Sequence, residues 1–90
     1  MIERRVVIRN RAGLHTRPAA TLVKLAAKYK AEFMIEKEGF EINGKSIIGV
    51  MTLAAEQGSE LTLRFDGEDE EVMATAICTM FERGFDETLT

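Results

Sequence analysis

The only proline of the chain, Pro18, follows Gly13-Leu14-His15-Thr16-Arg17 and precedes an apolar stripe, and this arrangement sets where the first helix must begin. The locked φ of proline suits a first helical turn, and its missing N–H forfeits no ladder bond there. Ala19, Leu22, Val23, Ala26 and Ala27 then recur at spacings of three and four, which predicts an amphipathic helix from about residue 16 to Lys28 or Tyr29. The first turn of such a helix presents N–H groups without intrahelical partners and about half a positive charge, a setting that attracts anions. His15, the only histidine, falls at or beside the N-cap, with Arg17 two residues on. A neutral imidazole is a nucleophile toward phosphorus. Once phosphorylated it would carry about two negative charges, which the amides of Thr16 and Arg17 and the Arg17 guanidinium are placed to meet. A lone histidine before a helix is ordinarily a cap or a surface residue, and a lone arginine a solvated charge. Gly13, His15, Arg17 and Pro18 together point instead to a phosphoryl site.

Around this helix the chain alternates in strand-like fashion. Ile2, Val6 and Ile8 against Glu3, Arg5 and Arg9 predict a first strand over about residues 2 to 8 that leads into the His15 loop. Glu32 to Lys37 and Phe40 to Asn43 read as a hairpin turned at Glu38-Gly39. Ser46 is placed as the N-cap of a short helix from Ile47 to about Leu53. Gly58 breaks the chain before Leu61, Leu63 and Phe65, which alternate with Glu60, Thr62 and Arg64 in the clearest strand of all. The acidic run Glu68-Asp69-Glu70-Glu71 precedes Val72, Met73, Ala76, Ile77, Met80 and Phe81 at helical spacing, so it reads as first-turn charge complementing the helix dipole ahead of a core-facing stripe. Gly84 suits a C-terminal cap with Phe85 folding back, and the chain beyond Asp86 reads as a short exposed tail. The order β-α-β-β-α-β-α predicts an α+β fold, an antiparallel four-stranded sheet with helices on one face.

Ninety residues make one small domain, 1–90, with no internal repeat or linker. The net charge of −3 excludes a binder of nucleic-acid backbone, which needs a dense basic surface. No apolar run approaches a membrane span or the core of a signal peptide, so the chain is expected to be cytoplasmic and not inserted in a membrane. Cys78 cannot form an internal disulfide, and beside a single histidine it forms no metal-ligand cluster; it reads as a structural thiol. No metal and no cofactor are expected.

The segment Asn10-Arg11-Ala12-Gly13-Leu14-His15-Thr16-Arg17-Pro18-Ala19 closely resembles the active-site signature of HPr, the family of histidine-containing phosphocarriers of the bacterial phosphoenolpyruvate-dependent sugar phosphotransferase system. Asn43-Gly44-Lys45-Ser46-Ile47-Ile48-Gly49-Val50-Met51-Thr52-Leu53 is similar to the second signature of that family, around a serine that a dedicated kinase phosphorylates. The match extends over essentially the whole chain. It implies an open-faced β-sandwich with strand order 1-4-2-3 and three helices on one face. It implies phosphorylation of His15 through Nδ1, with Arg17 stabilising the phosphate and Thr16 supplying a backbone amide, and it implies Ser46 as the regulatory site. Thr16 replaces an alanine common in the motif, which matters little because the amide is the group used. The retained His15 argues against the branch that has lost its histidine, and the Ser46 segment leans away from the nitrogen-regulation branch.

A short helix cannot bury every side, so Ile47, Ile48 and Met51, with Ala20, Lys24 and Ala27 of the first helix, are expected as a docking surface around His15. The resemblance implies enzyme I as donor, IIA proteins or domains of sugar permeases as acceptors, HPr kinase/phosphorylase acting on Ser46, and a transcription regulator as a further partner of a monomeric protein. Such a protein is a phosphoryl carrier with no turnover of its own. The competing expectation is a binding module gated by Ser46 with His15 secondary.

Overall fold

The computed structural model describes residues 1–86. The expected tail beyond Asp86 lies outside the described residues. The elements are β1 (Ile2–Val7), α1 (Thr16–Ala26), β2 (Glu32–Lys37), β3 (Phe40–Asn43), α2 (Ile47–Thr52), β4 (Glu60–Asp66) and α3 (Glu70–Glu82), followed by a 3₁₀ turn at Gly84–Asp86. The four strands form one antiparallel sheet in the order β1-β4-β2-β3, as expected.

Alternation decides which side of the sheet is covered. The register sets Val6 opposite Leu61, Leu63 opposite Ile35 and Phe65 opposite Phe33, so all six side chains share one face and are buried there. The Phe33 and Phe65 rings stack with centroids 4.9 Å apart. Ala19, Leu22 and Ala26 of α1 and Met73, Ile77 and Phe81 of α3 close over this face to complete the core. Burying a large apolar side chain contributes about 1.5–3 kcal/mol, so this layer dominates the stability of a chain this short. The opposite face stays open to solvent and is laced by charge. Arg64 of β4 reaches Glu3 of β1 at 3.1 Å, Glu36 of β2 at 2.8 Å and Glu41 of β3 at 2.8 Å.

Several boundaries differ from the sequence pattern. β1 stops at Val7, because Ile8 bonds to the turn at Gly58 and Ser59 instead of continuing the ladder. α1 stops at Ala26, and the amides of Lys28 and Tyr29 donate back three residues to Leu25 and Ala26, a tightened last turn that leaves Ala27 exposed. In α3 the buried face is Met73, Ala74, Ile77 and Phe81, and Val72 is 63% exposed. One turn of helix carries only part of its residues inward, and Val72 lies outside that arc. Gly84, in left-handed conformation at φ 62°, ends α3 as expected, and Phe85 turns back to meet Phe81 edge-on at 5.0 Å. Cys78 is half buried, and burial pushes its thiol pKa up against the opposing effect of Arg4. Among the described residues no helix is long and apolar enough to cross a membrane.

Candidate functional site

The loop between β1 and α1 is held from inside. Asn10 is fully buried and donates from Nδ2 to the Gly13 carbonyl at 2.7 Å, while the Gly13 amide donates to the Asn10 carbonyl at 3.2 Å. Gly13 sits at φ 75°, and a Cβ there would overlap the Ala55 carbonyl oxygen, so both its backbone angle and its neighbour require glycine. Leu14 is buried and its amide donates to that same Ala55 carbonyl at 2.8 Å. Further along, Ile8 exchanges bonds with Ser59 and Gly58 at 2.9 and 2.8 Å, and Gln57 Nε2 donates to the Arg9 carbonyl at 3.0 Å. Residues 55–59 therefore form the floor on which the loop rests.

This frame delivers His15 as the N-cap of α1, in extended conformation, with its carbonyl accepting from the Ala19 amide at 3.0 Å. The imidazole makes no capping bond. His15, Thr16 and Arg17 are exposed, whereas Pro18 and Ala19 are buried and anchor the turn beneath them. The first bond of the helix ladder is donated by Ala19, so the amides of Thr16 and Arg17 lie outside the ladder and Pro18 has none to offer. An exposed imidazole at this N-cap, followed in sequence by two such amides and by an exposed arginine two residues on, is a set of groups suited to carrying a phosphoryl group.

Ser46 is the N-cap of α2, and its Oγ accepts from the Gly49 amide at 3.2 Å. Lys45 Nζ donates to the Tyr29 carbonyl at 2.7 Å just past α1, and the Gly44 amide donates to Phe33 at 2.7 Å, which seat α2 against α1 and the hairpin. The residues expected to dock partners are exposed on and next to these two helices: Ala20 and Lys24 on α1, Ala27 just past its end, and Ile47, Ile48 and Met51 on α2, with Ile48 at 77%. Val50 is the residue through which α2 joins the core.

Three features escaped the sequence pattern. Asn10 reads only as a loop residue, although its spacing to Gly13 is the available signal for a side chain closing a turn. The 55–59 floor has no local signature beyond Gly58. Asp69, expected to complement the dipole of α3, instead directs its carboxylate away from that helix to accept from the amides of Lys30 and Ala31, each at 2.9 Å. Those bonds, the Lys30 one first, hold the Asp69 carboxyl below the ordinary carboxylate range. Glu70 and Glu71 do occupy the first turn. Among the described residues no group of three or more histidine, cysteine and acidic side chains is placed to hold a metal ion.

With this geometry in view, residues 2–83 match the family model described as the PTS HPr component phosphorylation site. A phosphocarrier protein HPr from Xylella fastidiosa is 41% identical over 87 residues, 97% of this chain and 98% of that protein. A crystal structure of HPr from Thermoanaerobacter tengcongensis superposes with a TM-score of 0.95 at 39% identity, over 99% of this chain and 100% of that one. Crh, a catabolite repression protein of Bacillus subtilis solved as an intertwined dimer with a swapped domain, superposes at 0.72 with 36% identity and covers 100% of both chains. The chain belongs to the HPr family of phosphocarrier proteins of the phosphotransferase system.

Proposed function

We propose that His15 is the residue that carries the phosphoryl group, on Nδ1. Enzyme I, itself phosphorylated from phosphoenolpyruvate, donates it, so that a P–N bond to His15 forms as the donor's bond to phosphorus breaks. A IIA protein or domain takes it in the reverse exchange. The observation that carries this reading is an N-cap whose side chain is not used as a cap, set on a loop pinned by Asn10 and Ala55, with the amides of Thr16 and Arg17 outside the helix ladder. The Arg17 guanidinium meets the phosphate oxygens, and Ala20, Lys24, Ala27, Ile47, Ile48 and Met51 dock the partners. The protein acts in the cytoplasm as one domain over 1–90 and as a monomer.

Ser46 is the regulatory site, phosphorylated by HPr kinase/phosphorylase. Its hydroxyl is half buried at the start of α2, close to the exposed Ile47 and Ile48, so two added negative charges alter the docking surface. Likeness to Crh supports a second role through a transcription regulator once Ser46 is modified.

Incubation with phosphoenolpyruvate and enzyme I, followed by intact mass and acid treatment, tests the first reading. One acid-labile phosphate, absent in His15→Ala, is expected. No label from an active donor would overturn it in favour of the Ser46-gated regulator. Sedimentation tests the monomer against the dimer of the Crh structure.

A further inference from the structure

Phe40 is the one phenylalanine that the core does not take. Phe33, Phe65, Phe81 and Phe85 are at most 9% exposed, whereas Phe40, the first residue of β3, is 53% exposed. Strand alternation fixes the side of the sheet on which its ring stands. Glu41, the next residue, lies on the open face, where Arg64 meets it at 2.8 Å. Ile42, two residues on from Phe40, lies on the other side, since its Cβ is 3.4 Å from where a side chain on Gly49 of α2 would begin. Lys37, opposite Phe40 in the β2–β3 register, donates from Nζ to the Leu53 carbonyl at the end of α2, at 3.4 Å. The Phe40 ring therefore stands on the α2 side, alongside the last turn of that helix.

Ser46 belongs to the same flank of α2. The position that a Gly49 Cβ would take is ringed by the Asn43 carbonyl at 3.3 Å, Ile42 Cβ at 3.4 Å and Ser46 Cβ at 3.5 Å, and the Ser46 hydroxyl accepts from the Gly49 amide. Ser46, Ile42 and Phe40 thus follow one another along the seam between β3 and α2, with Phe40 about 7 Å beyond Ile42 at the rise of a strand. Val50 and Leu53 face the core, so at about 100° per residue Thr52 and Ile48 occupy the arc that leads outward from Gly49. Both are exposed, and Thr52 Oγ1 donates to the Ile48 carbonyl at 2.6 Å. Phe40 and Ile48 therefore form an exposed apolar pair astride Thr52 on the Ser46 flank. His15 sits instead on the loop bonded to Ala55, past the opposite end of α2 from Ser46. A single exposed apolar side chain is ordinary, but this one lines the approach to a hydroxyl assigned to a kinase.

We infer that Phe40 is a docking residue for the kinase that modifies Ser46, and that it separates this partner from those that exchange phosphate with His15. The inference rests on the assignment of Ser46 made above. The kinase meets the ring with an apolar pocket, because a half-exposed aromatic side chain anchors an interface by burying the rest of its surface. At Ser46 the hydroxyl oxygen gains the bond to the terminal phosphorus of a nucleoside triphosphate, the diphosphate leaves and the hydroxyl proton is released. Phe40 touches no atom of that exchange, so it acts on binding and not on the chemical step. A donor to His15 meets the start of α1 and the arc of α2 turned away from Gly49, which carries Ile47 and Met51. A second copy of this chain fits the seam less well, since two exposed apolar side chains fall far short of the roughly 800 Å² per partner of a stable interface.

The test compares the parent with Phe40→Thr, which keeps a strand-favouring residue at the sheet edge, and with Phe40→Tyr, which keeps the ring. Each full chain is labelled on Ser46 by HPr kinase/phosphorylase with ATP, read as acid-stable phosphate absent in Ser46→Ala, and separately on His15 by enzyme I with phosphoenolpyruvate. Phe40→Thr should raise KM for the kinase about tenfold and leave kcat within about twofold. Phe40→Tyr should stay close to the parent, and KM for enzyme I should be the same for all three. Parent-like amide resonances in α2 and β2 establish that each variant is folded, and if Phe40→Thr fails that standard the isosteric Phe40→Val takes its place. Equal KM for Phe40→Thr and parent overturns the inference and leaves the Ser46 assignment standing. So does an equal loss with enzyme I, which makes Phe40 a general contact, or a loss confined to kcat. No acid-stable label on the parent from an active kinase overturns the Ser46 assignment and the inference with it. A parent that sediments as a dimer beside a monomeric Phe40→Thr gives the ring to a second copy and overturns the inference alone.

Discussion

His15 and Asp69 occupy the same position, the N-cap, on two helices of one molecule, and neither caps its own helix with its side chain. His15 is exposed, and its loop is held from below by Asn10, Leu14 and Pro18. Asp69 turns inward, and its carboxylate ties the end of the α1 turn to the start of α3 across 38 and 39 residues of sequence. Ser46 is intermediate, since its hydroxyl caps α2 locally and is half buried. The comparison separates two uses of one structural position. A cap position whose side chain does not close its own helix is open to another use at the surface, while a cap built into the tertiary structure is committed to folding.

The largest expected effect is at His15. His15→Ala should lose all acid-labile phosphorylation and shift unfolding free energy by less than about 0.5 kcal/mol, as exposed substitutions do. A phosphotransfer assay beside a urea melt checks both halves, and a substantial loss of stability would break the contrast with Asp69. Gly13→Val comes next. It places a branched side chain at φ 75° against the Ala55 carbonyl, so it should cost about 2–4 kcal/mol and slow phosphorylation as well, because the frame beneath His15 must move. Urea unfolding with parallel labelling kinetics reads both.

Asp69→Ala should lower the thermal midpoint at neutral pH without touching the phosphorylation rate. The sign of its pH dependence follows from the lowered carboxyl. A folded-state value below the ordinary one, about 3.9, means that the stabilisation is fully present above that pH and fades as pH falls through the lower folded value. Melts at pH 7 and at successively lower pH should therefore show parent and variant converging below about pH 4. A constant gap would assign the tie to something other than the ionised carboxylate. The smallest effect is at Ser46. Ser46→Ala should cost about 0.5–1 kcal/mol through the lost cap. Ser46→Asp should cost less, since aspartate also caps, yet slow phosphorylation of His15 by enzyme I. Equal labelling rates for Ser46→Asp and parent would detach Ser46 from the docking surface.

Much of this molecule was legible before any coordinates. Leu61, Leu63 and Phe65 alternate cleanly because one face of β4 is buried and the other wet, and the β2–β3 hairpin is announced by Glu38-Gly39. Pro18 and Ser46 mark helix starts through their own chemistry, so α1 and α2 begin where expected. The boundaries that moved, at Val7 and Ala26, are places where a contact with another segment or a tightened turn overrides local pattern. Val72 shows the same limit, because apolar spacing identifies a helix face but not the width of the arc that its neighbours cover.

The sequence by itself determined the order and kind of the elements and the helix starts that place His15 and Ser46 at their N-caps, because propensity, periodicity and capping act over a few residues. Only the tertiary structure decided that Asn10 and residues 55–59 support the loop that carries His15 and that Asp69 is a long-range tie. Apart from the Asn10–Gly13 turn, those are pairings between residues tens of positions apart, whose hydrogen bonds and close approaches exist once the sheet register and the helix layer have brought them together.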